Sequence, residues 1–177
     1  MQHIWRPMSF FSRLFRPKAD AREALRPLWH RIVETSREER WYAQHGVADT
    51  VAGRFDMIAT ILCLVLLRME QDEELVAPSV LLTELFVDDM DGQLRESGIN
   101  DVVVGKHIGK LMATLGGRLG AFRDGLASDK ATGLEEAVRR NVSLANEAQA
   151  TSLAEALRAY ADHLSSLGGD AILAGQV

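Results

Sequence analysis

The sequence predicts an all-α fold, a single compact domain of about six or seven helices around a buried central helix. Composition supports this prediction, because 47% of the 177 residues are hydrophobic and only four are proline. Leu, Ala, Arg and Glu dominate, and this mixture favours helices. Apolar residues also recur at helical spacing, with no convincing alternating strand run. The length suits one domain with a substantial core.

The chain ends are expected to lie outside that domain. We predict a basic amphipathic extension over residues 1–17, a helical domain over 18–167 and a mobile tail over 168–177. The extension is too short and too charged to cross a bilayer, and its profile suits the surface of an anionic membrane. A frayed terminus is the alternative, and Met8 could be the natural start. The candidate membrane-surface residues are Phe10, Phe11, Arg13, Phe15 and Arg16.

The first elements of the domain are marked by their caps and turns. A helix is predicted from about Asp20 toward Arg37, with Pro27 in its first turn or at a kink. A short helix around Trp41 and Tyr42 should end at His45-Gly46. Either Asp49 or Thr50 can then cap the central helix.

The central helix is predicted over about residues 55–69. Its segment MIATILCLVLL is apolar nearly all the way round, which indicates full burial, and it is far too short to span a membrane. Arg54 and Asp56 flank the buried start, so ion pairing is expected there. The single cysteine, Cys63, excludes an intramolecular disulfide and is expected to be a buried, inert thiol.

The next predicted helix, LLTELFVDDMDGQLRE, is acidic and amphipathic. At 100° per residue, an apolar arc is flanked by a stripe of Glu84, Asp88, Asp91 and Arg95. Asp89 falls among the apolar positions, where an unpaired carboxylate would be costly. We therefore predict a structural ion pair for Asp89, with Arg54 as the first candidate partner and Lys106 or His107 as alternatives.

The helix that follows is basic and carries glycines on one face. These are Gly105, Gly109, Gly116 and Gly120, beside an apolar arc that includes Leu111, Leu115 and Phe122. Each helical glycine costs about 1 kcal/mol relative to alanine, so close approach of another backbone is the expected compensation. An internal helix contact is favoured over a partner chain. Alternatively, Gly116-Gly117 breaks the helix. Lys106 and Lys110 project from another side.

The C-terminal part contains two further predicted helices. One starts near Thr132, and the other carries apolar residues at alternating spacings of four and three from Leu153 to Leu167. Those two heptads form a packing seam that is too short for a separate coiled coil.

Charge is segregated along the chain, which indicates electrostatic pairing or a solvated surface. Residues 1–18 contain four cationic and no acidic residues, whereas residues 70–101 contain ten acidic residues against Arg95 alone. Residues 102–123 contain four cationic and no acidic residues. Nucleic-acid binding is disfavoured, because no basic stripe with interleaved aromatic residues occurs.

Catalytic and metal motifs do not fit the sequence. DDMDG fails as an EF-hand loop, because position twelve is Gly98, and it fails as a DDxxD motif at Gly92. The histidines lack metal-ligand spacing, and no nucleophile elbow or phosphate-cradling loop is present. We therefore predict no metal, no cofactor and no enzymatic activity. An all-helical enzyme is the least favoured class.

Two stretches together resemble the ubiquinol–cytochrome c chaperone family, the assembly factors of the cytochrome bc1 complex. They are WYAQHGVADTVAGRFDMIATILCLVLLRM, residues 41–69, and LLTELFVDDMDGQLRESGINDVVVGKHIGKLM, residues 81–112. Their order is far more specific than any single piece. The resemblance covers roughly residues 21–126 and is weaker at both ends.

The resemblance implies an all-helical, non-catalytic chaperone that binds newly made cytochrome b and holds it for haem insertion and subunit assembly. Mitochondrial members work with a second, smaller assembly factor, a partner that is not assumed here. A bacterial protein, peripheral to the cytoplasmic face of the inner membrane, is expected. The alternative is a membrane-peripheral helical adaptor for another partner protein. The candidate partner-binding residues are Glu84, Asp88, Asp91, Arg95, Lys106 and Lys110.

Overall fold

The computed structural model describes residues 21–96, 101–128 and 130–177. The predicted extension over 1–17, with its five candidate membrane-surface residues, lies outside them, and so do the side chains of Arg95, Lys106 and His107. The described residues form one all-α domain without a named strand, as predicted. Their one isolated β-bridge joins Val47 to Leu144.

The described chain contains six helices of eleven residues or more and two of five residues. In chain order they are α1 (Arg26–Ser36), α2 (Glu39–Ala43), α3 (Val51–Met69), α4 (Glu73–Glu96), α5 (Asp101–Ala127), α6 (Ala131–Asn141), α7 (Ala150–Ser166) and α8 (Gly169–Leu173). A 3-10 turn over Ala21–Leu25 precedes α1. Pro27 lies in the first turn of α1, as one of the two predictions for it required.

Helix α3 is the centre of the domain, as its uninterrupted apolar sequence predicts. It contacts α1, α4, α5 and α7, and its residues 56–67 are all buried. Thr50 caps it, with the side-chain oxygen accepting a hydrogen bond from the backbone N–H of Gly53 at 3.1 Å. None of the described helices is both long enough and apolar enough to span a bilayer.

The start of α3 is packed against the preceding loop through Gly53. A Cβ atom at this glycine would lie 2.0 Å from the carbonyl oxygen of Ala48, so only glycine fits there. Gly46, which follows α2, has a φ of 72°, the left-handed conformation that glycine adopts without strain. These two glycines fix the turn between α2 and α3.

Arginine side chains close the C-terminal ends of two helices. Arg68 of α3 donates to the carbonyls of Leu164 and Leu167 at the end of α7, at 3.2 and 2.7 Å. Arg158 of α7 donates to the carbonyls of Gly125 and Leu126 at the end of α5. A cation at these carbonyls also complements the helix dipole.

The predicted seam of α7 is confirmed, since Leu153, Leu157, Tyr160 and Leu164 are buried.

Residues 168–177, for which we predicted a mobile tail, pack onto the domain in the structure. This segment contains α8, whose Ile172 is fully buried, and Val177 is only 6% exposed. Arg31 of α1 donates through Nε to the carbonyl oxygen of Val177 at 3.0 Å. Burial of Ile172 and Val177 supplies the hydrophobic free energy that holds the segment against α1.

Candidate functional site

The apolar face of α4 determines which of its residues reach solvent. Leu82, Leu85, Phe86 and Met90 are buried, as the helical phase predicts. The ring of Phe86 lies 5.9 Å from that of Trp29 in an edge-to-face arrangement. This packing against α1 fixes the rotation of α4 about its axis.

The opposite side of α4 presents the predicted carboxylates, which we call the acidic face (Glu84, Asp88 and Asp91). Glu84 and Asp88 are exposed and Asp91 is half-buried. Arg22, in the 3-10 turn, donates through Nη1 to Oδ2 of Asp88. The side chains of this ion pair are 31% and 59% exposed, so the pair is largely solvated and contributes little to stability.

Two grooves border the acidic face. The α1–α4 groove, of about 560 Å³, is lined by Trp29, His30, Leu85, Asp88 and Asp89, together with Arg26, Val33, Glu34 and Arg37. The α4–α5 groove, of about 680 Å³, is lined by Arg22, Ser79, Val80, Thr83, Glu84, Val87, Asp88 and Met112. Asp88 lines both grooves, and its ion pair with Arg22 therefore lies at their boundary.

The predicted burial of Asp89 is wrong, because its side chain is exposed at the α1–α4 groove. The predicted partner, Arg54, instead donates through Nε to Asp49 at 2.7 Å in an exposed ion pair. That hydrogen bond lowers the pKa of Asp49 and raises the pKa of Arg54. The physical reason is that a groove separates α1 and α4 where the helical phase of α4 would place core.

The buried ion pair of the described core joins Asp56 of α3 to Arg118 of α5. Arg118 donates through Nη2 to Oδ1 of Asp56 and through Nη1 to its carbonyl oxygen at 3.3 Å. The backbone N–H and the hydroxyl of Ser143 donate to Oδ2 at 2.9 and 2.7 Å. Both oxygens of the carboxylate therefore have partners, which offsets the cost of burial. We call these three residues the Asp56 cluster.

Sequence reasoning predicted ion pairing at Asp56 but missed Arg118 and Ser143 as its partners. A weak signal for Arg118 was present, because at 100° per residue it lies only 20° from Leu111, at the edge of the apolar arc of α5. Its guanidinium also lies over the ring of Phe55, with Cζ 5.7 Å from the centroid. Ser143 had no sequence signal, since it reaches Asp56 from the loop between α6 and α7.

Among the described residues, none makes the expected internal contact at the three glycines of α5 that can be described. A Cβ atom at Gly109, Gly116 or Gly120 would meet no atom of the described residues within 4 Å, apart from its chain neighbours and the backbone of its own helix. Helix α5 also continues through Gly116-Gly117, so the alternative of a break is wrong. The side chain of Lys110, on another side of α5, is exposed.

A close glycine contact does occur in the last turn of α5. A Cβ atom at Gly125 would lie 2.9 Å from Cα of Leu134, so the backbones of α5 and α6 approach closely there. Glycine therefore permits helix packing at Gly125, whereas no described residue packs on Gly109, Gly116 or Gly120.

The titratable groups of the core are held in unreactive states. Burial raises the pKa of the Cys63 thiol to about 12, against weaker opposing effects from Arg118 and Arg123, so the thiol is protonated near neutral pH. Burial likewise raises the pKa of Tyr160 to about 12. Among the residues whose side chains can be described, no group of three His, Cys, Asp or Glu is arranged to hold a metal ion.

The geometry thus defines an all-α domain with an acidic, grooved surface above a buried core. The profile of the family described as ubiquinol–cytochrome C chaperone matches residues 43–177, which is most of the chain. The chain therefore belongs to the ubiquinol–cytochrome c chaperone family. Membership gives it a chaperone role in assembly, which is a non-enzymatic role.

A solved structure has the same fold. The crystal structure of the Cbp3 homolog from Brucella abortus is 33% identical to the chain and covers 94% of both chains, with a TM-score of 0.78. No match was found among curated protein sequences.

Proposed function

We propose that the protein binds newly made cytochrome b and holds it for haem insertion and for assembly of the cytochrome bc1 complex. The family match over residues 43–177 is the observation that carries this proposal. The acidic face supports it, because cytoplasmic loops of membrane proteins are enriched in Lys and Arg. Glu84, Asp88 and Asp91 offer carboxylates to such loops. A second, smaller assembly factor is a further candidate partner.

Affinity capture from solubilised membranes tests the client. The full chain should recover cytochrome b, and the double variant Asp88→Lys with Asp91→Lys should recover about tenfold less, because like charges then face each other across the contact. Recovery of a different membrane protein without cytochrome b would favour the adaptor alternative and contradict the proposal.

A matched control separates client binding from general charge effects. Glu155→Lys with Asp162→Lys makes the same change of charge at two exposed positions of α7. This control variant should capture cytochrome b as the unmodified chain does. Circular dichroism should show equal helicity for both double variants. Equal loss of capture in both would show that net charge, and not the acidic face, is responsible.

We also propose that the N-terminal extension holds the domain at the cytoplasmic surface of the inner membrane of a bacterium. Aromatic residues beside arginines favour anionic lipid surfaces. Vesicle flotation tests this, since binding to anionic vesicles should fall in Phe10→Ser with Phe11→Ser. Unchanged flotation of that variant would contradict the proposed membrane contact.

A further inference from the structure

Exposed apolar side chains are concentrated on one side of the domain. Of the four large apolar side chains that are exposed in the described residues, Val80 and Met112 line the α4–α5 groove. Val76, the third, precedes Val80 by four residues and so lies on the same side of α4. Their exposed fractions are 51% for Val76, 55% for Val80 and 38% for Met112. Single exposed apolar residues are common, but a cluster in a groove indicates a binding surface.

The α5 side of the groove continues into a ledge without large side chains. Gly109, Ala113, Gly116 and Gly120 are spaced by four, three and four residues, and at 100° per residue they lie next to Met112. The first three are exposed and Gly120 is half-buried. This spacing follows the pitch of a helix for about three turns. Small residues at such spacing allow the backbone of a second helix to approach closely.

The charge of the groove is negative at its α4 edge. Glu84 and Asp88 both line it, and Arg22 already places a guanidinium on Asp88. The groove thus accepts an arginine from within the chain. A partner with cationic side chains along one edge and apolar side chains along the other would match both of its walls.

We propose that the α4–α5 groove binds an α-helix of the partner protein, with its apolar side chains against Val80, Val87 and Met112. The ledge of Gly109, Ala113, Gly116 and Gly120 would receive the backbone of that helix, and its Lys or Arg side chains would pair with Glu84 and Asp88. The assignment of this helix to the chaperone's client rests on the proposed function. A strand-like segment fits less well, because the described residues offer no sheet edge for it to extend.

Peptide binding to the full chain tests the groove directly. Two labelled peptides share one apolar face in an α-helix of about five turns. One carries Lys and Arg beside that face, and the other carries Glu at the same positions. Fluorescence anisotropy should show binding of the basic peptide and about tenfold or weaker binding of the acidic one. Equal affinities would overturn the proposal.

Two variants with matched controls locate the binding site. Val80→Asn should weaken binding of the basic peptide. Val51→Asn, at a valine that is 89% exposed at the start of α3, should leave that binding unchanged. Gly116→Leu should block the ledge, whereas Gly168→Leu, where a Cβ also meets open space, should have no effect. Gly116→Leu projects into space that no described residue fills, and leucine favours a helix more than glycine does, so the variant should not lower the unfolding midpoint. Unchanged peptide binding in both groove variants would overturn the proposal.

The chain's own basic N-terminal segment is the competing occupant. If it fills the groove, Arg13→Glu with Arg16→Glu would raise the affinity for the basic peptide, and that result would overturn a partner helix as the occupant. If Val80→Asn and Gly116→Leu both capture cytochrome b at full yield, the proposal that the groove binds the client helix would be overturned, but the proposed function would stand. If the basic peptide binds but the captures contain no cytochrome b, the proposed function would be overturned and the groove proposal would stand.

Discussion

Two arginine–aspartate pairs in this domain have the same chemistry and opposite surroundings. Arg118–Asp56 and Arg22–Asp88 join residues that are 62 and 66 positions apart. The side chains of the first pair are only 10% and 11% exposed, and Ser143 donates a hydrogen bond to the second carboxylate oxygen of Asp56. The second pair is 31% and 59% exposed and borders two grooves. Burial and additional donors make the first structural, whereas the second remains accessible to a partner.

Removal of the carboxylate from each pair should give the largest difference. Asp56→Ala leaves the buried guanidinium of Arg118 without its counter-ion and should cost about 3–5 kcal/mol of the free energy of unfolding. Asp88→Ala should cost about 0–1 kcal/mol, because its pair is solvated. Urea unfolding followed by circular dichroism measures both changes. Similar losses in the two variants would contradict the contrast between them.

The glycine at the start of α3 provides the next largest effect. In Gly53→Ala the new methyl group would collide with the carbonyl oxygen of Ala48, so the loop must shift, at a cost of about 1–3 kcal/mol. Thermal unfolding should show a lower midpoint. An unchanged midpoint would mean that the turn before α3 can move freely.

A glycine-to-alanine substitution should have the opposite effect on stability at the ledge. Gly116→Ala places its methyl group in open space and improves helix propensity, so it should stabilise the domain by about 1 kcal/mol. The measurement is again the unfolding midpoint, with Gly53→Ala as the comparison. Destabilisation by Gly116→Ala would show that the ledge contacts another part of the chain.

The smallest expected effect is on the pH dependence of stability, and it comes from a partly buried histidine. Burial lowers the pKa of His45 below its ordinary value of 6.5, and Arg40 lowers it further. The unfolded chain then binds more protons than the folded chain between the two pKa values. Stability is therefore retained above 6.5 and falls as the pH drops below it. His45→Gln should flatten this dependence, and an identical pH profile for the variant would contradict it.

The helical phase of the sequence predicted well the direction in which each side chain projects from its helix, but it predicted poorly which other helix that side chain contacts. It placed Leu82, Leu85 and Phe86 correctly in the core because burial follows the direction in which a side chain projects. The same phase placed Asp89 in the core, but the position opens on a groove between α1 and α4. The separation between two helices depends on residues of both, which one periodicity does not contain.

The glycines of α5 show the same limit. Their number predicted a close contact, and such a contact exists at Gly125 with α6. The described members of the predicted set, Gly109, Gly116 and Gly120, face open space instead. Spacing identified a face of the helix, whereas only the packing of α6 could show which glycines it covers.

The Asp56 cluster has a consequence for the order in which the chain can fold during synthesis. Its carboxylate receives Arg118 from 62 residues and Ser143 from 87 residues further along the chain. A nascent polypeptide still attached to the ribosome before residue 143 would hold Asp56 with an unsatisfied oxygen. The domain therefore closes late in translation, and a product truncated before Ser143 should be a substrate for proteases rather than a smaller working chaperone.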